Sequence, residues 1–246
     1  MLHALRLAAL GGQLALVSTA GILTSLLRPF HPDNTTRCAH WFGGPGLKLL
    51  GVKLHADLSA LDAHRGPAVI LCNHVTNYDL YVFGNMVPPR TVTLGKTSLK
   101  WLPLFGQLYW LTGNVLIDRG NARQAKAAMI TTTRALVDQQ TSILVFPEGT
   151  RGHGKGMGSL KKGAFIMAVE AGVPILPVCA NNYIRGWRLN RWHTGDVHMR
   201  ALPPIPTAGL TQADVPALMA RCEAAMRQAI DELDAVAGTR PNAQPN

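Results

Sequence analysis

Apolar residues fall along this chain in two patterns: short β-branched runs of strand length, and longer stretches with one apolar face at helical spacing. Val52 to Leu58 alternates and predicts a sheet-edge strand. Ala68 to Cys72, bounded by Gly66-Pro67 and by Asn73, predicts a buried strand, and Tyr78 to Phe83 can begin a helix. Further strands are predicted at Thr91 to Gly95, Val115 to Ile117, Ser142 to Phe146, Pro174 to Cys179 and Val197 to Ile205. Between them the pattern predicts a helix from Asn121 to Gln140, with Ala122, Ala125, Met129, Thr133, Leu136 and Val137 on one face. Another is predicted from Lys162 to Ala171, stopped by Gly172. Trp101 to Trp110 reads mostly as core. Thr211, with Asp214 three positions on, is a plausible cap for a last helix with Val215, Leu218, Cys222, Met226, Ala229 and Leu233 in one stripe.

The N-terminus follows a third pattern. Leu7 to Leu27 contains no charged residue and is flanked by Arg6 and Arg28. At about 1.5 Å per residue it reaches roughly 30 Å, the depth of a bilayer's hydrocarbon. Gly11, Gly12, Gln13, Ser18, Thr19, Thr24 and Ser25 dilute it. A spanning helix fits the length. A helix lying in the interface fits the dilution and the broken helix-like stretch that follows, Arg37 to Val52, with Trp41, Phe42 and Leu47 to Leu50. A signal peptide fits the basic start and Ser18-Thr19-Ala20, but the unpaired cysteines disfavour export. The expected organisation is a membrane-associated segment over 1–51, an α/β domain over 52–237 with a mixed, mainly parallel sheet flanked by helices, and a disordered tail over 238–246.

Net charge is +10, so anionic partners are expected: nucleic acid, anionic lipid or an acidic carrier protein. No nucleic-acid motif is present. Cys38, Cys72, Cys179 and Cys222 are far apart, form no C-x-x-C, and read as reduced core thiols of a domain on the cytosolic side. Arg185 to Arg200 mixes four Arg with Trp187 and Trp192, which suits either a membrane interface or a solvated loop.

Three predicted strand ends carry unusual polar residues: Asn73-His74, Asp118-Arg119 and Glu148-Gly149-Thr150-Arg151. In an open α/β sheet such ends can converge on one crevice. Asp79 follows His74 by five positions, so a strand-turn-helix corner can fold its carboxylate onto one imidazole nitrogen and leave the other as a general base. The spacing alone decides nothing. There is no Gly-x-Ser-x-Gly elbow, no activated cysteine, no Gly-x4-Gly-Lys-Ser/Thr loop and no Gly-x-Gly-x-x-Gly fingerprint, and the glycine-rich loop Gly152 to Gly158 does not follow a strand directly. His74 would therefore have to activate a substrate hydroxyl itself. Arg119 and Arg151 suit a phosphate or carboxylate. Acyl transfer also needs an oxyanion donor, for which Lys96 or a backbone N–H near Gly95 is the candidate.

Asn73-His74-x4-Asp79, Gly113 to Arg119, Phe146 to Arg151 and Val173 to Pro177 resemble, in order, the four motif blocks of the glycerolipid acyltransferases. Leu94 to Arg119 resembles the bacterial 1-acyl-sn-glycerol-3-phosphate acyltransferases in particular. The resemblance implies the family's α/β sandwich and transfer of a fatty acyl group to the sn-2 hydroxyl of lysophosphatidic acid. Phosphatidic acid for phospholipid synthesis would be the product, and acyl carrier protein or coenzyme A the donor. It implies His74 as base, Asp79 as its partner, and Arg119 with Glu148, Gly149, Thr150 and Arg151 as the glycerol-phosphate site, without metal or cofactor. It also implies the bacterial inner membrane, with the catalytic domain facing the cytoplasm. A different lyso-lipid acceptor such as lyso-ornithine lipid, a non-catalytic lipid-binding protein and a secreted hydrolase stay open as alternatives.

Overall fold

The computed structural model describes residues 1–118, 120 and 122–239, with the side chains at 122, 124–126, 128 and 136 left out. The strands are β1 (Val52–Asp57), β2 (Val69–Cys72), β3 (Thr91–Lys96), β4 (Val115–Ile117), β5 (Ser142–Val145), β6 (Ile175–Ala180) and β7 (Gly195–Ala201). The helices are α1 (Leu2–Leu26), α2 (Asp33–Leu50), α3 (Ser59–Ala63), α4 (Asp79–Val82), α5 (Phe105–Leu111), α6 (Ala122–Asp138), α7 (Gly163–Ala171) and α8 (Val215–Ala237). The predicted start of α6 at Asn121 falls outside the described residues, as does most of the tail, 240–246.

The strands form one sheet in the order β1-β7-β6-β2-β5-β3-β4. Strands β6, β2, β5, β3 and β4 are mutually parallel; β7 runs antiparallel to β6 and pairs in parallel with β1 at the edge. Both faces are covered, which is why the central strands read as continuous apolar runs. From β2, Ile70 and Cys72 enter one core with Phe42 and Leu50 of α2 and Val82 of α4, while Val69 and Leu71 enter the other with Phe165 of α7 and Met226 of α8. Each such fully buried aliphatic side chain contributes about 2 kcal/mol.

The last strand differs from the predicted span. It begins two residues earlier and ends at Ala201, because Pro203 and Pro204 have no N–H to donate to a ladder. Ile205 rejoins the sheet only through a lone antiparallel bridge to Ile175. Thr211 and Asp214 form the expected capping box, but around a short 3₁₀ turn, Gln212–Asp214, that feeds α8.

Helix α1 is long and apolar enough to cross a membrane by length and composition. Its amphipathicity is inverted. Arg6, Leu10, Gln13, Val17, Ser18, Gly21 and Ser25 face the protein, while Leu5, Leu7, Leu16, Leu23 and Leu26 are exposed. Two of the buried polar residues, Arg6 and Gln13, have specific partners. Pro45 inside α2 cannot donate to Trp41 O, and Gln13 Nε2 supplies that bond, donating to Trp41 O (3.1 Å) and Phe42 O (3.0 Å). The Arg6 guanidinium donates to Leu189 O (2.8 Å), Arg191 O (2.7 Å), Trp192 O (2.7 Å) and Thr194 Oγ1 (2.6 Å). At the other end of the helix a Cβ on Gly21 would stand 2.6 Å from Leu108 of α5. Helix α1 is thus held along its whole length, not projected away from the body.

The Trp101 to Trp110 stretch is less buried than its composition suggests. Leu108 and Tyr109 enter the protein, but Trp101, Leu102, Leu104 and Trp110 are exposed, and Phe30 packs edge-on against Trp110. Helix α5 itself packs against α1 through Leu108. Of the two tryptophans in the Arg185 to Arg200 segment, Trp187 is core, packed on Tyr183 and Tyr78, and Trp192 is exposed.

Replacing Arg6 with Met leaves three carbonyls without their donor in a half-dry pocket. It is expected to cost about 3 kcal/mol and to lower the thermal midpoint in detergent. An unchanged midpoint would show that the guanidinium does not hold α1.

Candidate active site

The site is built where β2 stops. Past Cys72 the side-chain amide of Asn73 stands in for a ladder partner: its Nδ2 donates to Ala180 O (2.8 Å) and its Oδ1 accepts from Ala180 N (2.8 Å). This ties the tip of β2 to the tip of β6. The chain then turns into α4, whose first residue is Asp79. The buried Asp79 carboxylate points back over the turn. Its Oδ2 accepts from the backbone N–H of Val75 (2.8 Å) and Thr76 (3.3 Å) and from His74 Nδ1. Its Oδ1 accepts from the Tyr183 hydroxyl. The His74 ring stacks on Phe146, with centroids 4.2 Å apart and planes 23° off parallel. With Nδ1 committed to Asp79, Nε2 is the ring nitrogen without a protein partner among the described residues.

Phe146 comes from the end of β5 and brings Glu148 with it. Glu148 is buried. Its Oε1 accepts from His74 N (2.6 Å) and its Oε2 from Gly158 N (2.7 Å). Burial pushes this carboxyl's pKa up; the two N–H donors and His74 pull it partly back, and Asp79 adds a smaller upward push. The glycine-rich loop is laid along the same corner. Gly152 N donates to His74 O (2.8 Å) and His153 N to Val75 O (2.9 Å). A Cβ on Gly152 would stand 2.4 Å from Gly156 O, so only glycine permits this approach. From outside, Arg185 Nε donates to Gly154 O (2.6 Å) and Arg227 Nη1 to Met157 O (3.0 Å).

Of the residues singled out by the sequence, His74, Asp79 and Glu148 meet directly. Gly149 makes the turn with a left-handed φ of 73°, and Thr150 and Arg151 are exposed immediately before Gly152. Lys96 is exposed at the end of β3, which is separated from β2 by β5. Arg119 lies outside the described residues; β4 ends two positions before it, on the same side of the parallel sheet as the ends of β2 and β5. Two features carried no signal in the sequence. One is the use of both Glu148 oxygens as acceptors for the corner's own backbone. The other is Tyr183, fully buried within a segment that reads as a polar loop. Burial pushes the Cys72 thiol well above its ordinary range, so the cysteine nearest the site is no thiolate. The arrangement offers an oriented imidazole beside exposed cations, a combination suited to deprotonating a hydroxyl on an anionic substrate.

Residues 54–181 match the Acyltransferase family model. The chain is 42% identical over 219 residues to the 1-acyl-sn-glycerol-3-phosphate acyltransferase of Salmonella typhimurium, covering 89% of each chain. It is 41% identical over the same length to the enzyme of that name from Escherichia coli. The fold matches the crystal structure of the 1-acyl-sn-glycerophosphate (LPA) acyltransferase from Thermotoga maritima with a TM-score of 0.75 at 20% identity, over 95% of this chain and 96% of that one. Both His74 and Asp79 lie within the matched segment, and the chain belongs to the acyltransferase family.

Proposed function

We propose that the protein transfers a fatty acyl group from acyl carrier protein or acyl-coenzyme A to the sn-2 hydroxyl of 1-acyl-sn-glycerol-3-phosphate, giving phosphatidic acid. The observation that carries the chemistry is the imidazole with Nδ1 bound to a buried carboxylate and Nε2 open. The names of the curated relatives support the acceptor.

In this reading His74 Nε2 takes the proton of the acceptor hydroxyl as its oxygen attacks the thioester carbonyl. Asp79 holds the ring in the tautomer that presents Nε2 and stabilises the imidazolium that forms. The tetrahedral oxyanion collapses, the C–S bond breaks, and the imidazolium returns its proton to the leaving thiolate. No acyl-enzyme forms, so initial rates should be sequential in donor and acceptor. Arg151, exposed at the mouth of the site, and Arg119 are assigned to the acceptor phosphate, and Lys96 to a donor or oxyanion contact. Glu148 is assigned a positioning role, since both its oxygens are used to hold His74 and Gly158 in place.

The protein works at a membrane. Because α1 is clamped to the body from Arg6 to Ser25 while its leucines face outward, we assign it to lie in the interface, with Phe30, Trp101 and Trp110 at the headgroup level. We assign it to a bacterial inner membrane with the catalytic domain facing the cytoplasm, a reading that the bacterial origin of the relatives and the four free cysteines support.

The test is phosphatidic acid formation by detergent-purified protein given lysophosphatidic acid and either thioester donor. His74→Ala should fold normally and lose roughly a thousandfold in kcat. Near-normal turnover by that variant would remove the imidazole from the mechanism. Arg151→Ala should raise the KM for lysophosphatidic acid about tenfold with kcat nearly kept. A rise confined to the KM of the thioester would reassign the arginine to the donor. Ping-pong kinetics with a trapped acyl-protein would exclude direct transfer.

A further inference from the structure

Asp79 has two carboxylate oxygens, and the His74 corner uses only one. The other, Oδ1, accepts from the Tyr183 hydroxyl, and that hydroxyl also lies 3.0 Å from Thr76 Oγ1. Tyr183 is fully buried, 104 residues further along the chain, just past the tip of β6. Its placement is built from several directions. Asn182 is fixed by the buried Asp234, which accepts from Asn182 N (2.6 Å) and Nδ2 (2.8 Å). Asn181 Oδ1 accepts from His198 N (2.9 Å). The ring packs against Trp187 at 4.6 Å between centroids. None of this is needed to fill space alone: a phenylalanine would pack as well, and a buried hydroxyl is costly unless bonded.

From this we infer that Tyr183 is a positioning residue that sets the basicity of the Asp79–His74 pair, acting through the carboxylate oxygen that the histidine does not touch. Burial, with the Asp79 charge next, holds the phenol well above its ordinary pKa, so it stays a donor throughout the working range. A donor on Oδ1 draws charge from the carboxylate and moderates how strongly Oδ2 holds the imidazolium. The other titratable groups around the pair are Glu148, which feels the charges of His74 and Asp79, Cys72, which feels that of Asp79, and Tyr78, which acts on Tyr183. Burial also raises the thiol of Cys72 and the phenol of Tyr78, so both stay neutral. Glu148 is engaged by backbone N–H groups from another side.

The inference rests on the proposed role of His74, and the experiment separates the two. Tyr183→Phe is compared with wild type, His74→Ala and Asp79→Asn by pH profiles of phosphatidic acid formation. The expected result is a fall in kcat of about tenfold, an unchanged KM for lysophosphatidic acid, and an acid limb of the kcat/KM profile moved to higher pH. Loss of the donor strengthens the carboxylate's hold on the imidazolium, which gives that sign. In the Asp79→Asn background the same change should cost almost nothing more, because the path through the carboxylate is already broken. A wild-type profile for Tyr183→Phe while His74→Ala is inactive would overturn the inference and leave the mechanism standing. So would a full, additive loss in the Asp79→Asn background, which would mark packing alone. Full activity of His74→Ala would remove both. If Tyr183→Phe does not fold, 3-fluorotyrosine placed at 183, a stronger donor, should move the acid limb to lower pH, and an unmoved limb would overturn the inference.

Discussion

One carboxylate organises the active corner. Asp79 receives the N–H groups of Val75 and Thr76, the ring of His74 and the hydroxyl of Tyr183. The two backbone donors fold the segment between β2 and α4 into a single tight shape, so the carboxylate is both ring partner and the reason the ring is near it. Glu148 repeats the device from β5, with one oxygen on the backbone of His74 and the other on Gly158. Two buried anions thus satisfy backbone donors that a sharp turn would otherwise leave bare. The imidazole is held by the fold itself, so the proposed base needs little reorganisation at the moment of reaction.

A second constraint comes from the solvent on the far side of α1. An ordinary surface helix turns leucine inward and polar residues outward. Here Arg6, Gln13, Ser18 and Ser25 are inside, and a row of leucines is outside. Arg6 and Gln13 answer backbone groups of the body: Trp41 O above Pro45 and the carbonyls of Leu189, Arg191 and Trp192. The inverted stripe makes sense when hydrocarbon is the outer medium, because lipid offers those carbonyls no donor.

Much of this was legible in the sequence, for reasons that differ from residue to residue. The strands are short β-branched runs closed by Gly, Pro or Asn, so β2, β5 and β6 stand out by composition. The His74–Asp79 pairing is local, five residues across one corner, and a local contact can be read from spacing. Glu148 stands out by its place at a strand end, yet its partners are 74 and 10 residues away, and nothing in the chain's periodicity shows a carboxylate facing inward. Tyr183 is more hidden still, since Asn181-Asn182-Tyr183 has the composition of a solvated loop. Trp101 to Trp110 reads as core in the sequence for the opposite reason. Its apolar content implies burial in water, and that rule changes sign where the neighbouring helix presents leucine to its surroundings.

The division between buried anions and exposed cations has a physical logic for the proposed reaction. A general base must hold one geometry through every turnover, and a buried carboxylate with all its bonds made does that. A site for an anionic headgroup must fill and empty. An arginine buried to receive it would pay heavily for desolvation whenever the ligand left. Arg151, which we assign to that headgroup, is accordingly at the surface, beyond the same end of the parallel strands as His74. Exposed cations attract an anion from a distance and release it readily. The corner beneath them stays fixed because its own charges are already matched to backbone and ring.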